Sequence, residues 1–401
     1  MRLLVVCNDV PLPTNTGGRV DVWRRLTTLA QGGHTLALLC WHDVGRSASP
    51  DADVLAAMHT VCEQVRVASI TRTAGEALRR LLVLWRMPSH AGSRWVTTRS
   101  MGLPGWAKAF RPDAVMLDGL YGGAVAAQLA KALGVPLLYR SHNIEHAYMR
   151  GQLALERHWP RRLGLLANCF GLKRFERQIH RAAKRVFDIS PDDRQRWIEQ
   201  GSNNIDWLPT LVDAAFAARI ANSPRDATPI DVLYFGNLNT PNNVEAVCWL
   251  LREVLPRVAS ETIRVVVAGS RPNALVRQAV AGDARVELVE DPLDMAPLIG
   301  AARVIVNPMQ AGSGVNLKSV EMLFSDAALV STSLGVKGLP TDAKAVFSVA
   351  DDAEGFARAL ASALAQDSGP VPSRVSLRRT FAGTSMAAMI AASLHIEATQ
   401  P

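Results

Sequence analysis

The sequence predicts an α/β protein made of two doubly wound, parallel-sheet domains. Three observations carry this expectation. Short β-branched runs alternate with longer segments of helical period, the signature of repeated βαβ units. The runs are apolar on both faces, as strands covered by helices on each side must be. The chain has 401 residues, 48% of them hydrophobic and 20% charged, which is more than one core of roughly 250–300 residues organises and far from the composition of a disordered chain.

In the first half the predicted strands are 3–7, 35–40, 64–67, 114–117, 136–139 and 185–188. In the second they are 231–235, 264–268, 286–288, 304–306, 328–331 and 345–348. Helices fill the gaps, among them 19–31, 244–257, 316–324 and an Ala-rich segment at 386–396. The stretch 208–229 has the weakest pattern and contains Pro209, Pro224 and Pro229, so the domain junction is expected there. The predicted organisation is an N-terminal domain at 1–208, a linker at 209–229, a C-terminal domain at 230–385, and a helix at 386–401 that packs back toward the first domain. Ligands of doubly wound sheets bind at the carboxyl ends of the strands. Two such sheets facing each other would enclose a cleft.

The formal net charge is +8, and the excess is not in a tail but dense between Arg66 and Arg185. Nucleic acid, an anionic membrane surface or a phosphorylated substrate would each suit it, as would a merely solvated helical face. No aromatic-rich RNA-binding segment or paired Cys/His finger spacing is present, which argues against nucleic acid. Arg79, Arg80 and Arg86 flank the apolar run Leu81, Leu82, Leu84 and Trp85, an arrangement suited to lying on an anionic membrane; a buried helix whose arginines reach solvent is the alternative. The segment 150–185 is a second Arg-rich stretch. Cys7, Cys40, Cys62, Cys169 and Cys248 are odd in number and scattered, which fits a reducing compartment. The start shows no signal-peptide pattern, and no apolar run approaches the roughly 18–20 residues that span a bilayer. The expectation is a cytoplasmic protein whose membrane contact, if any, is peripheral and at the inner face.

The chemistry-bearing segment is 304–321, where a strand runs through Asn307 and Pro308 into Gly312-Ser313-Gly314 and then into a helix with Lys318 and Glu321. Glycines let the backbone approach a ligand, the helix start offers N–H groups to an anion, and Lys318 and Glu321 share a face. A cation for phosphate and a carboxylate for sugar hydroxyls suit a nucleotide-sugar. By spacing alone the same residues also fit a glycine loop with a surface ion pair.

This segment resembles the donor site of the group 1 glycosyltransferases, glycosyltransferase family four, in the branch with a Gly-Ser-Gly loop. The resemblance rests on Pro308, Gly312–Gly314, Lys318, Glu321, residues 329–333 and Gly335-Val336-Lys337-Gly338-Leu339. Upstream it continues through Phe235-Gly236-Asn237, Pro241-Asn242-Asn243, Trp249-Leu250, Val254-Leu255-Pro256 and Arg271-Pro272, so that it spans most of the chain. It implies the GT-B fold, two facing Rossmann-like doubly wound domains with an interdomain cleft, the first binding acceptor and the second donor. It implies sugar transfer with retention of anomeric configuration. Glu321 would match the second glutamate of the family's Glu-x7-Glu motif and hold the ribose hydroxyls, with Ser313 at the first position. Where many members place Arg and Lys after the first donor-domain strand, this chain has Asn237, Asn239, Asn242 and Asn243, which leaves Arg271 and Lys318 as cations for the diphosphate.

In the first half, Thr16-Gly17-Gly18-Arg19 resembles the family's glycine loop beside acceptor and donor phosphates; alone, Gly17 and Gly18 before a helix also fit a plain turn. Ser141-His142-Asn143-Ile144-Glu145-His146 resembles the family's strand-end His segment and implies that His142 lies near the donor sugar. The same residues spell H-x-x-E-H, but a zinc peptidase needs that motif inside a helix with a third ligand. Asp51-Ala52-Asp53 is a D-x-D string better explained by helix capping from Asp51. The predicted catalytic set is therefore His142, Lys318 and Glu321, and the donor set Gly236, Asn237, Arg271, Gly312, Ser313, Gly314, Lys318 and Glu321. No metal and no cofactor is expected beyond the nucleotide-sugar co-substrate, and the acceptor is a glycan, a lipid-linked glycan or a small molecule. An epimerase of the same architecture and a non-catalytic nucleotide-sugar-binding protein are the rival readings.

Overall fold

The computed structural model of the chain describes residues 1–45, 49–71, 73–223, 230–260, 262–312, 314–365, 374–383 and 386–395. Strands β1 (Arg2–Cys7), β2 (Thr35–Asp43), β3 (Gln64–Ile70), β4 (Ala114–Asp118), β5 (Leu137–Ser141), β6 (Arg185–Asp188) and β7 (Ile205–Trp207) form one sheet in the order β3-β2-β1-β4-β5-β6-β7. Strands β8 (Ile230–Asn237), β9 (Val265–Ser270), β10 (Val286–Glu290), β11 (Ala302–Asn307), β12 (Ala328–Ser331) and β13 (Ser348–Val349) form a second in the order β10-β9-β8-β11-β12-β13. Every pairing is parallel, for example Leu3 with Leu36 and Ala114, and Val232 with Val265 and Val304. This is the two-domain GT-B arrangement of Rossmann-like sheets.

Parallel strands need crossover helices on both faces, and the strand sequences meet that demand. Leu4, Val6, Leu39, Val115, Leu117 and Tyr139 fill one core, and Val232, Tyr234, Val267, Val304, Val306 and Phe356 the other. Residues 1–14 and 18–209 with helix Met386–His395 make one compact unit; residues 15–17 with 210–383 make the second. In each sheet the strand order reverses direction once, between β1 and β4 and between β8 and β11. Loops leaving the carboxyl ends of strands that flank such a switch point diverge and leave a crevice.

Three expectations are corrected. Strand β7 is absent from the predicted strands, because only Ile205 of its three residues is buried and a period cannot show. The strand expected at 345–348 begins later: a helical turn occupies Thr341–Lys344 after Pro340, and the edge strand is Ser348–Val349, paired to Val330 and Ser331. The helix expected over 244–257 starts at Pro241 and changes form after Trp249, where the Leu255 N–H reaches back five residues to the Leu250 carbonyl before Pro256. The first helix spans Gly17–Gln31, so Gly17 and Gly18 form its opening turn. The linker residues 224–229 and the tail 396–401 lie outside the described residues.

The pairing of β8 with β9 contains the tightest backbone approach. Gly236 opposes Gly269, and a Cβ on Gly269 would stand 1.7 Å from the Gly236 carbonyl oxygen. That atom is backbone and cannot swing aside, so Gly269→Ala is expected to lower stability by about 3 kcal/mol or more. Gly164 lies within helix Trp159–Cys169 with nothing within 4 Å of its Cβ position, and Gly164→Ala is expected to gain up to about 1 kcal/mol. Urea unfolding of the two variants beside the wild type checks both signs.

Candidate active site

In the second unit, β8 ends at Gly236-Asn237 and β11 at Asn307, the two strands that flank the switch point. Beyond β11 the chain passes through Gly312 (φ 144°) and Gly314 (φ 74°), backbone angles that glycine adopts readily and other residues seldom do. Ser313 lies outside the described residues. Helix Leu317–Met322 follows, capped by Asn316, whose Oδ1 accepts the Lys318 N–H at 3.1 Å. That contact uses one of the amides that the sequence reading left for an anion.

Lys318 is 7% exposed. Its Nζ stands 3.9 Å from the centre of the Tyr234 ring and 3.4 Å from Asn243 Oδ1. A Cβ on Gly236 would come within 3.3 Å of Lys318 Cε and Nζ, so the bare backbone at 236 makes the room for this side chain. Burial pulls the Lys318 pKa down to about 7, against the opposing charge of Glu321 one turn along. Glu321 is half-buried. The Asn-rich loop holds the ammonium's partner in place: Asn243 Nδ2 donates to the Asn237 carbonyl at 2.9 Å, and Asn237 Oδ1 accepts the Asn239 N–H at 3.0 Å. Underneath, Asn307 Nδ2 donates to Ser319 Oγ at 2.8 Å, Ser319 Oγ to the Gly335 carbonyl at 2.6 Å, and Thr332 Oγ1 to the Met309 carbonyl at 2.6 Å. These bonds fix the helix that carries Lys318 to the ends of β11 and β12. Arg271 directly follows β9, beside the end of β8; it is exposed, with its N–H bonded to Asp291 Oδ1 at 3.0 Å.

In the first unit, His142 leaves the end of β5, and its Nε2 lies 2.6 Å from Asp118 Oδ1 at the end of β4. Asp118 is buried, which would raise its pKa, but the Arg25 guanidinium and the His142 hydrogen bond outweigh burial and hold it well below the carboxylate range. An ionised Asp118 accepts, so His142 Nε2 carries the proton toward it. Arg25, 1% exposed, bonds Asp118 at 2.8 Å through Nε and Asp21 at 2.7 Å through Nη2. Arg140, wholly buried, has its pKa lowered to about 10 by burial and by the charge of Arg25. Gly17 and Gly18 are exposed, and a Cβ at Gly18 would meet nothing within 4 Å.

Asp118, Arg25, Asp21 and Tyr234 were not singled out from the sequence, and Asn243 was named there only as standing where many members have a basic residue. Asp118 was findable as a carboxylate at the end of an apolar strand, and Arg25 as a cation on the apolar side of its helix, between Val22 and Leu26. Nothing local marks Tyr234 or Asn243 as partners of a lysine 75 or more residues on. The H-x-x-E-H residues diverge: Glu145 accepts the Tyr121 hydroxyl at 3.0 Å, and His146 Nδ1 sits 2.5 Å from Glu176. Asp51 caps helix Ala52–Val61 by accepting the Val54 N–H. Among the described residues no group of three or more His, Cys, Asp or Glu is placed to hold a metal ion.

Residues 16–209 match the family model described as "Glycosyl transferase 4-like domain", and residues 229–366 that described as "Glycosyl transferases group 1". A Klebsiella pneumoniae protein described as an uncharacterized 44.6 kDa protein in the cps region is 25% identical over 370 residues, 89% of each chain. Among solved structures, Anabaena HepE with UDP is similar at TM-score 0.64 and 12% identity, covering 98% of this chain and 99% of that one. Sucrose-phosphate synthase from Thermosynechococcus elongatus is similar at 0.62 and 15%, covering 98% of each.

Two outcomes are expected from the buried charges. Asp118→Asn leaves Arg25 underpaired and is expected to cost about 3–5 kcal/mol in urea unfolding. Lys318 has a folded pKa near 7 and an unfolded one near ~10.4, so the unfolded chain binds more protons between them. Stability is therefore expected to rise with pH across that window, by up to about 1.4 kcal/mol per unit, and the rise is expected to vanish in Lys318→Met.

Proposed function

The chain belongs to the group 1 glycosyltransferases, and from that premise we propose that it moves a sugar from a nucleotide-sugar to a hydroxyl acceptor with retention of anomeric configuration. The observation that carries the reading is the buried Lys318 ammonium at the end of β8, facing Asn243 and Tyr234 rather than water. A cation with its pKa near 7 in a buried setting gains most from an anion that arrives with the ligand. A diphosphate supplies that anion, and its charge grows as the bond to the sugar breaks, so Lys318 stabilises the departing group more than the ground state. Glu321 takes the ribose hydroxyls, Gly312 and Gly314 let the backbone come close, and Arg271 is a second cation for the diphosphate. His142, oriented by Asp118, meets the sugar. The acceptor oxygen bonds the anomeric carbon on the face that the diphosphate leaves, and the acceptor proton passes to the departing phosphate oxygen.

The reading places the enzyme in the cytoplasm, in polysaccharide assembly, with a glycan, lipid-linked or small-molecule acceptor and no resident cofactor. UDP-glucose belongs in the first donor panel, since a HepE structure similar to this chain was determined with it. A donor at 100 times its Kd is expected to stabilise the protein by about 2.7 kcal/mol in a thermal-shift experiment. Product analysis with and without acceptor separates transfer from epimerisation and from binding alone.

Glu321→Ala is expected to keep the fold and weaken donor binding by about 1.5–3 kcal/mol, roughly 10- to 150-fold, by calorimetry. Wild-type affinity in that variant would move the donor site elsewhere. Transfer is expected to persist in excess EDTA, since Lys318 and Arg271 are assigned the diphosphate charge; loss of activity that a divalent ion restores would overturn the metal-free assignment.

A further inference from the structure

We propose that the first unit carries a docking surface for an anionic lipid bilayer, formed by outward-facing apolar stripes on helices Ala74–Val83 and Trp159–Cys169. Helix Ala74–Val83 has no buried residue. Leu78, Leu81 and Leu82, with Trp85 just beyond its end, are 58%, 64%, 64% and 74% exposed. Their spacing is that of one helical face. On the other helix, Trp159 (70%), Leu163 (55%), Leu166 (46%) and Phe170 at its end (59%) are spaced by four, three and four, again a single face turned to solvent. Soluble helices put such a stripe inward; here both put it outward.

The opposite faces explain how the helices are held. Val83 packs on Gly92, where even a Cβ would come within 3.0 Å of Val83 Cγ2. Asn168, buried, accepts the His90 N–H at 2.8 Å and lies 3.0 Å from His90 Nε2 through its amide nitrogen. Gly92 and His90 belong to one helix, Ser89–Thr98, so the two stripes bracket the same buried helix.

Charge selects the occupant. Arg79 and Arg86 border the first stripe; Arg157, Arg161 and Arg162 border the second, all exposed, with Lys173 and Arg174 exposed after Phe170. The acidic side chains beside them, Glu76 and Glu156, are half-buried. A second copy of the chain would bring these cations against each other, which is repulsive, whereas anionic headgroups meet them while the indoles and leucines enter the interface. No helix among the described residues is long and apolar enough to cross a membrane, so the contact lies in the interface plane. The sequence points to both Arg-rich segments, 66–111 and 150–185; the structure adds the outward apolar stripe on the second. The inference does not depend on the transfer reaction.

Co-sedimentation of the full-length protein tests it, with vesicles of phosphatidylcholine alone and of phosphatidylcholine mixed with phosphatidylglycerol. The expected result is binding to the mixed vesicles only, weakened as salt rises. Trp85→Ser with Trp159→Ser, both at exposed positions that leave the fold intact, is expected to reduce the partition coefficient at least tenfold. Arg79→Gln with Arg86→Gln, Arg161→Gln and Arg162→Gln is expected to abolish the preference for anionic lipid. Indole fluorescence should shift to the blue on binding and lose that shift in the Trp variant. Equal binding to both vesicle types, binding to neither, or a dimer in sedimentation equilibrium that the Trp variant dissociates would each overturn the proposal.

Discussion

A buried cation has to be met by negative charge, and the two sheets answer that demand in opposite ways. In the first, Arg25 beneath the β1/β4 switch point is paired inside the protein with Asp118 and Asp21, so its guanidinium stays ionised at any pH the fold survives. In the second, Lys318 beside the end of β8 has a ring face and an amide oxygen close by and a glutamate one turn away. Arg25 is a structural charge whose work is finished on folding: it fixes Asp118, and Asp118 fixes His142. Lys318 is a charge whose compensation is incomplete, and the proposed anion site rests on that. Much of the surrounding chain serves the lysine: Gly236 for its stem, Asn243 for its head, and the Asn307–Ser319–Gly335 stitching for the helix beneath it.

How far this was legible in the sequence follows from the range of each interaction. Strands buried on both faces announce themselves as apolar runs, and the two-sheet architecture could be read for that reason. Where exposure breaks the run, as at β7, or only the end of an apolar run joins the sheet, as at 345–348, composition misleads. The segment proposed to bind the donor stands out as a candidate because its glycines, lysine and glutamate lie within ten residues of one another. The meaning of the Asn-rich loop could not be read. Taken alone, Asn243 reads as the loss of a basic residue expected nearby; in the structure it is the hydrogen-bond partner of Lys318, one of the two basic residues that remain. A pairing across 75 positions leaves no local trace.

The outward stripes show a second limit of sequence. Periodicity reveals that a helix has an apolar face but not which way the face turns, because the pattern is the same for a core helix and an interfacial one. Orientation comes from what the other face does. Val83 against Gly92, and Asn168 against His90, commit those faces to the protein and leave Leu78, Leu81, Trp159 and Leu163 to the outside. The net charge of +8 then has a location as well as a size: its arginines stand beside the exposed indoles. A helical face that was merely solvated would need the cations but not the tryptophans, and a core helix would need the apolar residues but not their exposure. The proposed interface, anionic at its surface and apolar beneath, accounts for both on the same helices.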